Sequence, residues 1–571
     1  PALKIHLHSR PLASLPPAKR MQRDAVAEWT AAKDAEALVL KGALDRWDTA
    51  ERTDDDGLRL LNAVLSLVAL PASSLVPISG LRTASGVHVV VVDKAPCGPD
   101  LEVQPVDLGV TPPRPADAKV RFNNIPLEGV DQSSPDGAAK FETSAAVRAL
   151  RRDRQSIATK ILTSNGCPPR SKRVADALSG KQQQRTQPLR FHAHGDDTID
   201  ARVDDVYKHL QKATGSSSSI GVFGWAMDML FHDSHRKKNR QSALLFQIAR
   251  LVRLVAKADV PEAVAYLLTF GTITALYKES KEKQAVTAAA GEEAPLREIH
   301  NGCVFLKQGL KVMTRHASFE KVKLELTASG QYGMGFKAGP EVMAHLARAH
   351  VELGYAVNTQ DAIKAFYSLS RQALLDAVNK IWPQANAQFE AYYGIAAPCL
   401  YSHTDGEGNS IIRITFSTDG TRAGCVLGSA GFNIALHHFV YKHLVNEFDD
   451  FVIRALTDDM PSFFRPEDQT NEGWYRTYDR LHAFLLRYDE LANPIGIYRH
   501  RGKGELALPP EAPHPRLDHP LLLETKIVDH GVKISGGCFG GGGQAVINHG
   551  LAKVMALRPR IDGILALAHA N

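Results

Sequence analysis

Cysteine is scarce in this 571-residue chain, and its placement excludes two architectures. The six residues (Cys97, Cys167, Cys303, Cys399, Cys425 and Cys538) show no short repeated spacing. They form neither a zinc signature nor a disulfide framework, which suits a reducing compartment. Long apolar runs are missing too. Leu58 to Leu81 is interrupted by Arg59, Pro71 and Pro77, and Ala263 to Tyr277 is short and carries three threonines. A membrane-spanning helix wants about 20 predominantly apolar residues, so neither stretch qualifies and no membrane partner is expected. There is no internal repeat. Nor is there an initiator methionine or signal-peptide pattern before Pro1, so a fragment or processed product is expected. A strong charge imbalance is also absent. The net charge of +6 and pI of about 8.8 permit a polyanionic partner without demanding one.

What is present is an ordinary globular composition, 44% hydrophobic and 23% charged, in a chain long enough for several subdomains. Apolar spacing predicts a helical region over 22–70, stopped by Pro71. A strand follows at Val87 to Val92. The proline-rich, polar sequence over 87–140 reads as a linker or loosely packed arm. Basic residues then gather at Arg148, Arg151, Arg152 and Arg154, and again at Arg170, Lys172 and Arg173; Ser216 to Ser219 reads as a hinge. From Ala243 to Tyr277 helix gives way to a strand at Ile273 to Tyr277, and the lysine- and alanine-rich 278–294 reads as a loop. Beyond residue 300 helices and short strands alternate. Helices are predicted at Pro340 to Leu353, Ala365 to Ile381 and Ser429 to Val445. A hairpin is expected around Asp405-Gly406-Glu407-Gly408, and a second around Thr457 to Met460. A proline-rich linker at 509–520 precedes short strands, a glycine cluster and a final helix.

Three carboxylates carry the candidate chemistry. Asp361 follows a short apolar strand, and Asp458 and Asp459 sit at the tip of another, 458 − 361 = 97 residues on. If the strands are sheet neighbours, the carboxylates converge at one strand end. Clustered oxygen ligands suit hard divalent cations, and two-metal phosphoryl transfer uses carboxylates that bridge both ions. An acidic pair at a turn is otherwise simply solvated.

The order of the surrounding segments favours the first reading. Gly221-Val222-Phe223-Gly224-Trp225, Ile273 to Lys278, Leu296-Arg297-Glu298-Ile299, Gln331 to Gly339, Asp361 to Leu369, Gly420 to Ser429, Thr457-Asp458-Asp459 and Gly531 to Gly536 occur in sequence. Read together, residues 215–545 resemble the reverse transcriptases of non-long-terminal-repeat retrotransposons, nearest in feel to the site-specific spliced-leader group. The resemblance implies an α+β fold: a right-hand polymerase with fingers, palm and partial thumb after a largely helical N-terminal region. Its divisions would be 1–110 (N-terminal, mostly helical), 111–200 (linker and basic arm), 201–345 (fingers), 346–480 (palm) and 481–571 (palm end and partial thumb).

The same resemblance implies roles. Asp361, Asp458 and Asp459 would be the catalytic and metal-binding residues, holding two magnesium ions, with manganese as a substitute. Lys278 and Arg297 would meet the triphosphate, Phe366 would exclude a ribose 2′-hydroxyl, Gly424 would permit close approach of the nucleotide, and Lys503 would stand near the leaving group. RNA template, DNA primer and deoxynucleoside triphosphates would be the partners, and the location nuclear, although no targeting signal is clear. The sequence departs from the family pattern at Ala423, where the family has Gln, and at Leu456-Thr457 before the aspartate pair. Two rivals remain: an RNA-dependent RNA polymerase, disfavoured by Phe366, and a decayed nucleic-acid-binding remnant, disfavoured by the retained aspartates. His192, His194, Asp196 and Asp197 have chelating spacing that a polar loop also explains. Gly540 to Gly543 lacks the following Gly-Lys-Ser/Thr of a phosphate loop. His437-His438 falls within a helix, and His235 to Arg240 forms a further basic cluster.

Overall fold

The computed structural model describes residues 23–73, 88–92, 167–212, 243–278 and 294–539 (apart from 50, 169, 183–184, 186, 194–198, 405–409, 530 and 535–536), with isolated positions 284, 287, 289, 547, 548, 551 and 555. The basic cluster at 148–154, the serine hinge, residues 221–225 and 235–240, the Asp405–Gly408 turn and the glycine cluster at 540–543 lie outside the described residues.

The N-terminal region is helical but not one run. Helices span Arg23–Trp47 and Asp54–Ser73. The break comes at 48–53, because Thr53 starts a new helix: Asp56 accepts the Thr53 N–H at 3.0 Å, and the Thr53 hydroxyl accepts the Asp56 N–H at 3.3 Å. Three aspartates in its first turn complement the helix dipole. Pro71 does not stop this helix; it falls in the last turn, two residues before the end. Leu40, Leu44, Leu60, Val64 and Leu67 pack with Ile248, Leu251, Val252 and Val255 of helix Ala243–Lys257. Arg250 ties the contact by bonding Asp45 at 2.7 Å and Asp48 at 2.6 Å.

Two five-stranded sheets follow. The first holds β1 (His88–Val92), β2 (Gly271–Tyr277), β3 (Leu296–Gly302), β6 (Ala397–Thr404) and β7 (Ser410–Ser417) in the order β1-β7-β6-β2-β3. The second holds β4 (Ala356–Thr359), β8 (Val452–Ile453), β9 (Ser462–Phe464), β11 (Glu505–Ala507) and β12 (Lys526–Ile527) in the order β12-β11-β4-β9-β8. A two-stranded piece joins β5 (Ala362–Ile363) to β10 (Tyr498–Arg499), and β13 (Val532–Ile534) pairs β14 (Gly537–Phe539). The chain is therefore mixed α and β, with a helical N-terminal region. Among the described residues no helix is long and apolar enough to cross a membrane.

Two predicted helices are interrupted. The run expected at Ala365 to Ile381 splits into Ala365–Ser368 and Arg371–Ile381. Ser370 is responsible: its hydroxyl caps the second helix at the Ala373 N–H, while its own N–H turns away to the Ile495 carbonyl at 2.8 Å. The helix expected over Ser429 to Val445 begins earlier, at Val426, and passes through a π-helical segment, His437–Tyr441, before ending at Glu447. His437 is buried there. In the segment read as a loop after Lys278, the described positions 284, 287 and 289 are helical.

One buried cation holds this region together. Arg371 donates to the carbonyls of Gly420, Tyr393 and Ile395 and to the Ser417 hydroxyl at 2.8–3.1 Å. Burial pushes its pKa down to about 9, with Arg422 adding to the shift. Both guanidinium groups lie over the Tyr393 ring, 5.3 and 4.6 Å from its centroid. Helix Arg371–Ile381 is thereby riveted to the glycine-containing loop after β7.

Candidate active site

Strands β8 and β9 close into a hairpin whose tip carries the aspartate pair. Arg454 donates its N–H to Pro461 at 3.1 Å, and Leu456 and Asp459 exchange both backbone bonds at 2.8 and 3.2 Å. That leaves Thr457 and Asp458 as a two-residue loop. Thr457 has φ +63°, and Asp458 is not among the positive-φ residues, the pattern of a type II′ turn that ordinarily takes Gly first. A β-branched residue is strained there and persists only where its surroundings hold it.

Those surroundings are Gly330 to Gly333. Tyr332 donates its N–H to Ala455 at 2.7 Å, and Ala455 donates to Gly330 at 3.1 Å. A Cβ on Gly333 would lie 2.3 Å from the Thr457 nitrogen and 2.6 Å from Asn433 Oδ1. The glycine stretch therefore lets a second backbone buttress the hairpin tip.

Asp361 comes to the same place by sheet register. β4 pairs β9 antiparallel, with Ala356 opposite Phe464, Val357 opposite Phe463 and Asn358 opposite Ser462. Two residues past the end of β4, Asp361 lies close enough to the hairpin tip for its charge to act on both Asp458 and Asp459. Beyond Asp361 the chain enters β5, which pairs with β10, and His500 donates its N–H to the Asp361 carbonyl at 2.7 Å.

Electrostatics reports the same convergence. Burial raises the Asp458 carboxyl, the Asp361 charge raises it further, and Arg297 opposes. Asp459 is pushed up to about 6, by burial first and then by Asp458 and Asp361. Three like charges thus share one neighbourhood. A carboxyl raised in the folded state favours folding below its unfolded pKa and loses that advantage as pH climbs through the folded value. Asp459→Asn is accordingly expected to stabilise the metal-free protein above about pH 6 and to make no difference below about pH 4. Asp459 still reaches solvent, so screening reduces the gain to about 1 kcal/mol. Thermal midpoints of both proteins across that pH range test this; equal midpoints at pH 8 would mean that the carboxylates do not repel.

Three carboxylate side chains are the donor set a hard divalent cation takes, and their mutual repulsion is what such an ion relieves. As the side chains lie, they are not gathered around one point: among the described residues no group of three His, Cys, Asp or Glu side chains stands ready to hold an ion. Asp361 instead accepts from Lys503 Nζ, 2.9 Å from its Oδ2.

The other predicted residues fall around this centre. Arg297 lies on β3 opposite Leu276, exposed and within the field of Asp458. Lys278 is one residue past β2, at the same end of the β2–β3 hairpin, with its N–H on Pro295 at 2.9 Å. Phe366 is half-buried and stacks on Phe432, ring centroids 4.5 Å apart and planes at 20°. Gly424 has φ +95°, and its close neighbour is the chain itself: a Cβ there would lie 2.8 Å from the His300 carbonyl. His192 bonds Asp376 at 2.9 Å, and its proposed co-ligands His194, Asp196 and Asp197 lie outside the described residues. Sequence reasoning missed Lys181 and Lys364, which share the field of Glu298. Isolated lysines give no signal of this kind. It also missed Arg499, which is buried against Asp489 and Glu524.

No protein-family model matches this chain, and no curated protein matches it. Among solved structures it is similar to telomerase from Candida albicans, determined with a fragment of telomeric RNA, at 12% identity and a TM-score of 0.28. The match covers 40% of this chain and 43% of that one.

Proposed function

We propose that this chain is an RNA-directed DNA polymerase of the non-long-terminal-repeat retroelement type, acting at the 3′-hydroxyl of a DNA primer on an RNA template. The observation that carries this is the meeting of Asp361 with the Asp458–Asp459 hairpin tip, where burial and the neighbouring Asp361 charge raise the carboxyls of Asp458 and Asp459. In this reading β2 and β3 belong to the fingers, and β4, β8 and β9 form the palm. Asp361 and Asp458 would hold magnesium, with Asp459 adding negative charge beside them. Bound there, the ions would activate the primer hydroxyl and stabilise the pyrophosphate leaving group.

The chain's own residues supply binding and position. Arg297 and Lys278, at one end of the β2–β3 hairpin, would take the triphosphate, Arg297 through its planar fork. Phe366, braced on one face by Phe432, would fill the space a ribose 2′-hydroxyl needs. Gly333 and the Tyr332–Ala455 bond keep the aspartate tip from drifting.

Substrate choice tests the reading. An RNA template annealed to a DNA primer should be extended with deoxynucleotides, and ribonucleotides should compete poorly. Equal use of both sugars would favour an RNA polymerase. Salt-dependent template binding without any extension would favour a decayed remnant, with Ala423 the first position to revert, to Gln.

A further inference from the structure

The basic stretch from Arg499 to Lys503 is built asymmetrically. Arg499 is buried and bonds Asp489 at 3.1 and 2.6 Å and Glu524 at 2.6 Å. Arg501 reaches the same two carboxylates at 3.6 and 3.4 Å. Both arginines therefore share one acidic pair behind the site. Lys503 takes the other direction, its Nζ 2.9 Å from Asp361 Oδ2. Backbone bonds set this aim. His500 donates to the Asp361 carbonyl at 2.7 Å, and Lys503 donates to the His500 carbonyl at 2.9 Å, so the turn carrying Lys503 hangs from Asp361 itself. Asp458 and Asp459 form no ion pair among the described residues. The ammonium thus takes an oxygen of Asp361, whose charge also acts on Asp458 and Asp459.

We infer that Lys503 is a latch on the Asp361 carboxylate, occupying an oxygen that a divalent cation would take, and that the cation must displace it to bind. The inference rests on the reading of Asp361 and Asp458 as cation ligands. An ion pair as exposed as this one, with side chains 60% and 40% accessible, is weak enough to break. A dication offers two charges to the same oxygens where the ammonium offers one, so the exchange is favourable once the ion is abundant. The latch has two consequences. It neutralises part of the acidic cluster when no ion is present, and it sets a threshold of ion concentration below which the Asp361 oxygen stays taken.

The test is manganese binding to the full chain, followed by electron paramagnetic resonance without nucleotide or nucleic acid. Lys503→Met removes the charge and keeps the length, and the exposed position tolerates it. Lys503→Arg keeps the charge. Lys323→Met removes a lysine paired with Glu320 and controls for net charge. Lys503→Met should bind manganese more tightly than wild type, on the order of tenfold, because a repelling neighbour and a competitor for Asp361 both go. Lys503→Arg and Lys323→Met should stay with wild type. Wild-type binding with Lys503→Met equal or weaker overturns the latch and leaves the proposed function standing. Failure of both proteins to bind manganese overturns the latch and the cation reading together.

Discussion

Asp458→Asn is expected to lower the rate of single-nucleotide addition about 10³-fold or more while template–primer binding persists. Asn preserves the shape of the hairpin tip and the backbone exchange between Leu456 and Asp459. What it removes is the charge of the better-buried member of the aspartate pair, and a preorganised charge at the reacting centre is worth several kcal/mol. Loss of about 4 kcal/mol of transition-state stabilisation corresponds to a rate factor of about 10³. Single-turnover kinetics with saturating template–primer measures this, and filter binding across a salt series measures the contrast. A variant that loses binding and chemistry in parallel would mean that Asp458 supports the fold rather than the reaction.

Phe366→Val is expected to weaken discrimination against ribonucleotides by about a hundredfold, the range over which a shaped apolar pocket rejects an added hydroxyl. The ring is held on one face by Phe432 at 4.5 Å and is only half-buried, so truncation opens volume on its other side. Some stability goes with it, about 1–2 kcal/mol for the lost packing. Insertion kinetics with paired deoxy- and ribonucleotides, at a temperature where both proteins remain folded, separates the two effects. Unchanged discrimination with lowered stability would make Phe366 a packing residue and place the sugar gate elsewhere.

How much of this was legible in the sequence depends on the range of the interactions that set each feature. The hairpin bearing Asp458 and Asp459 could be read from a short apolar run, a polar turn and a second short run, since hairpin closure is local. The pairing that brings Asp361 near that tip could only be supposed, because pairing of β4 with β9 is decided by packing across about a hundred residues of chain. Helix breaks failed for the same reason. Ser370 looks like a tolerable helix residue until the distant Ile495 carbonyl takes its N–H. Thr53 does carry a local capping signal, paired with Asp56, so that break is legible in the sequence.

The buried cations were the least visible. Arginine reads as surface, yet Arg371 is enclosed by three carbonyl oxygens and a hydroxyl contributed by two distant segments, 393–395 and 417–420. Glycine roles were half-visible. The Gln331–Gly339 stretch stood out as glycine-rich, but that Gly333 exists to admit the strained Thr457 backbone follows only from their contact. Lys503 shows the limit most plainly. Its partner stands 142 residues away, brought there by the pairing of β5 with β10.

In the proposed function, Asp361 and Asp458 share a cation at the point of nucleotide transfer. The most direct measurement is an anomalous difference map from crystals of the chain with an RNA template, a DNA primer ending in a dideoxynucleotide, the next deoxynucleoside triphosphate and manganese. Manganese density is expected in contact with both carboxylates, with Lys503 withdrawn from Asp361. Density confined to other sites, with the Lys503–Asp361 pair intact beside bound nucleotide, would contradict it.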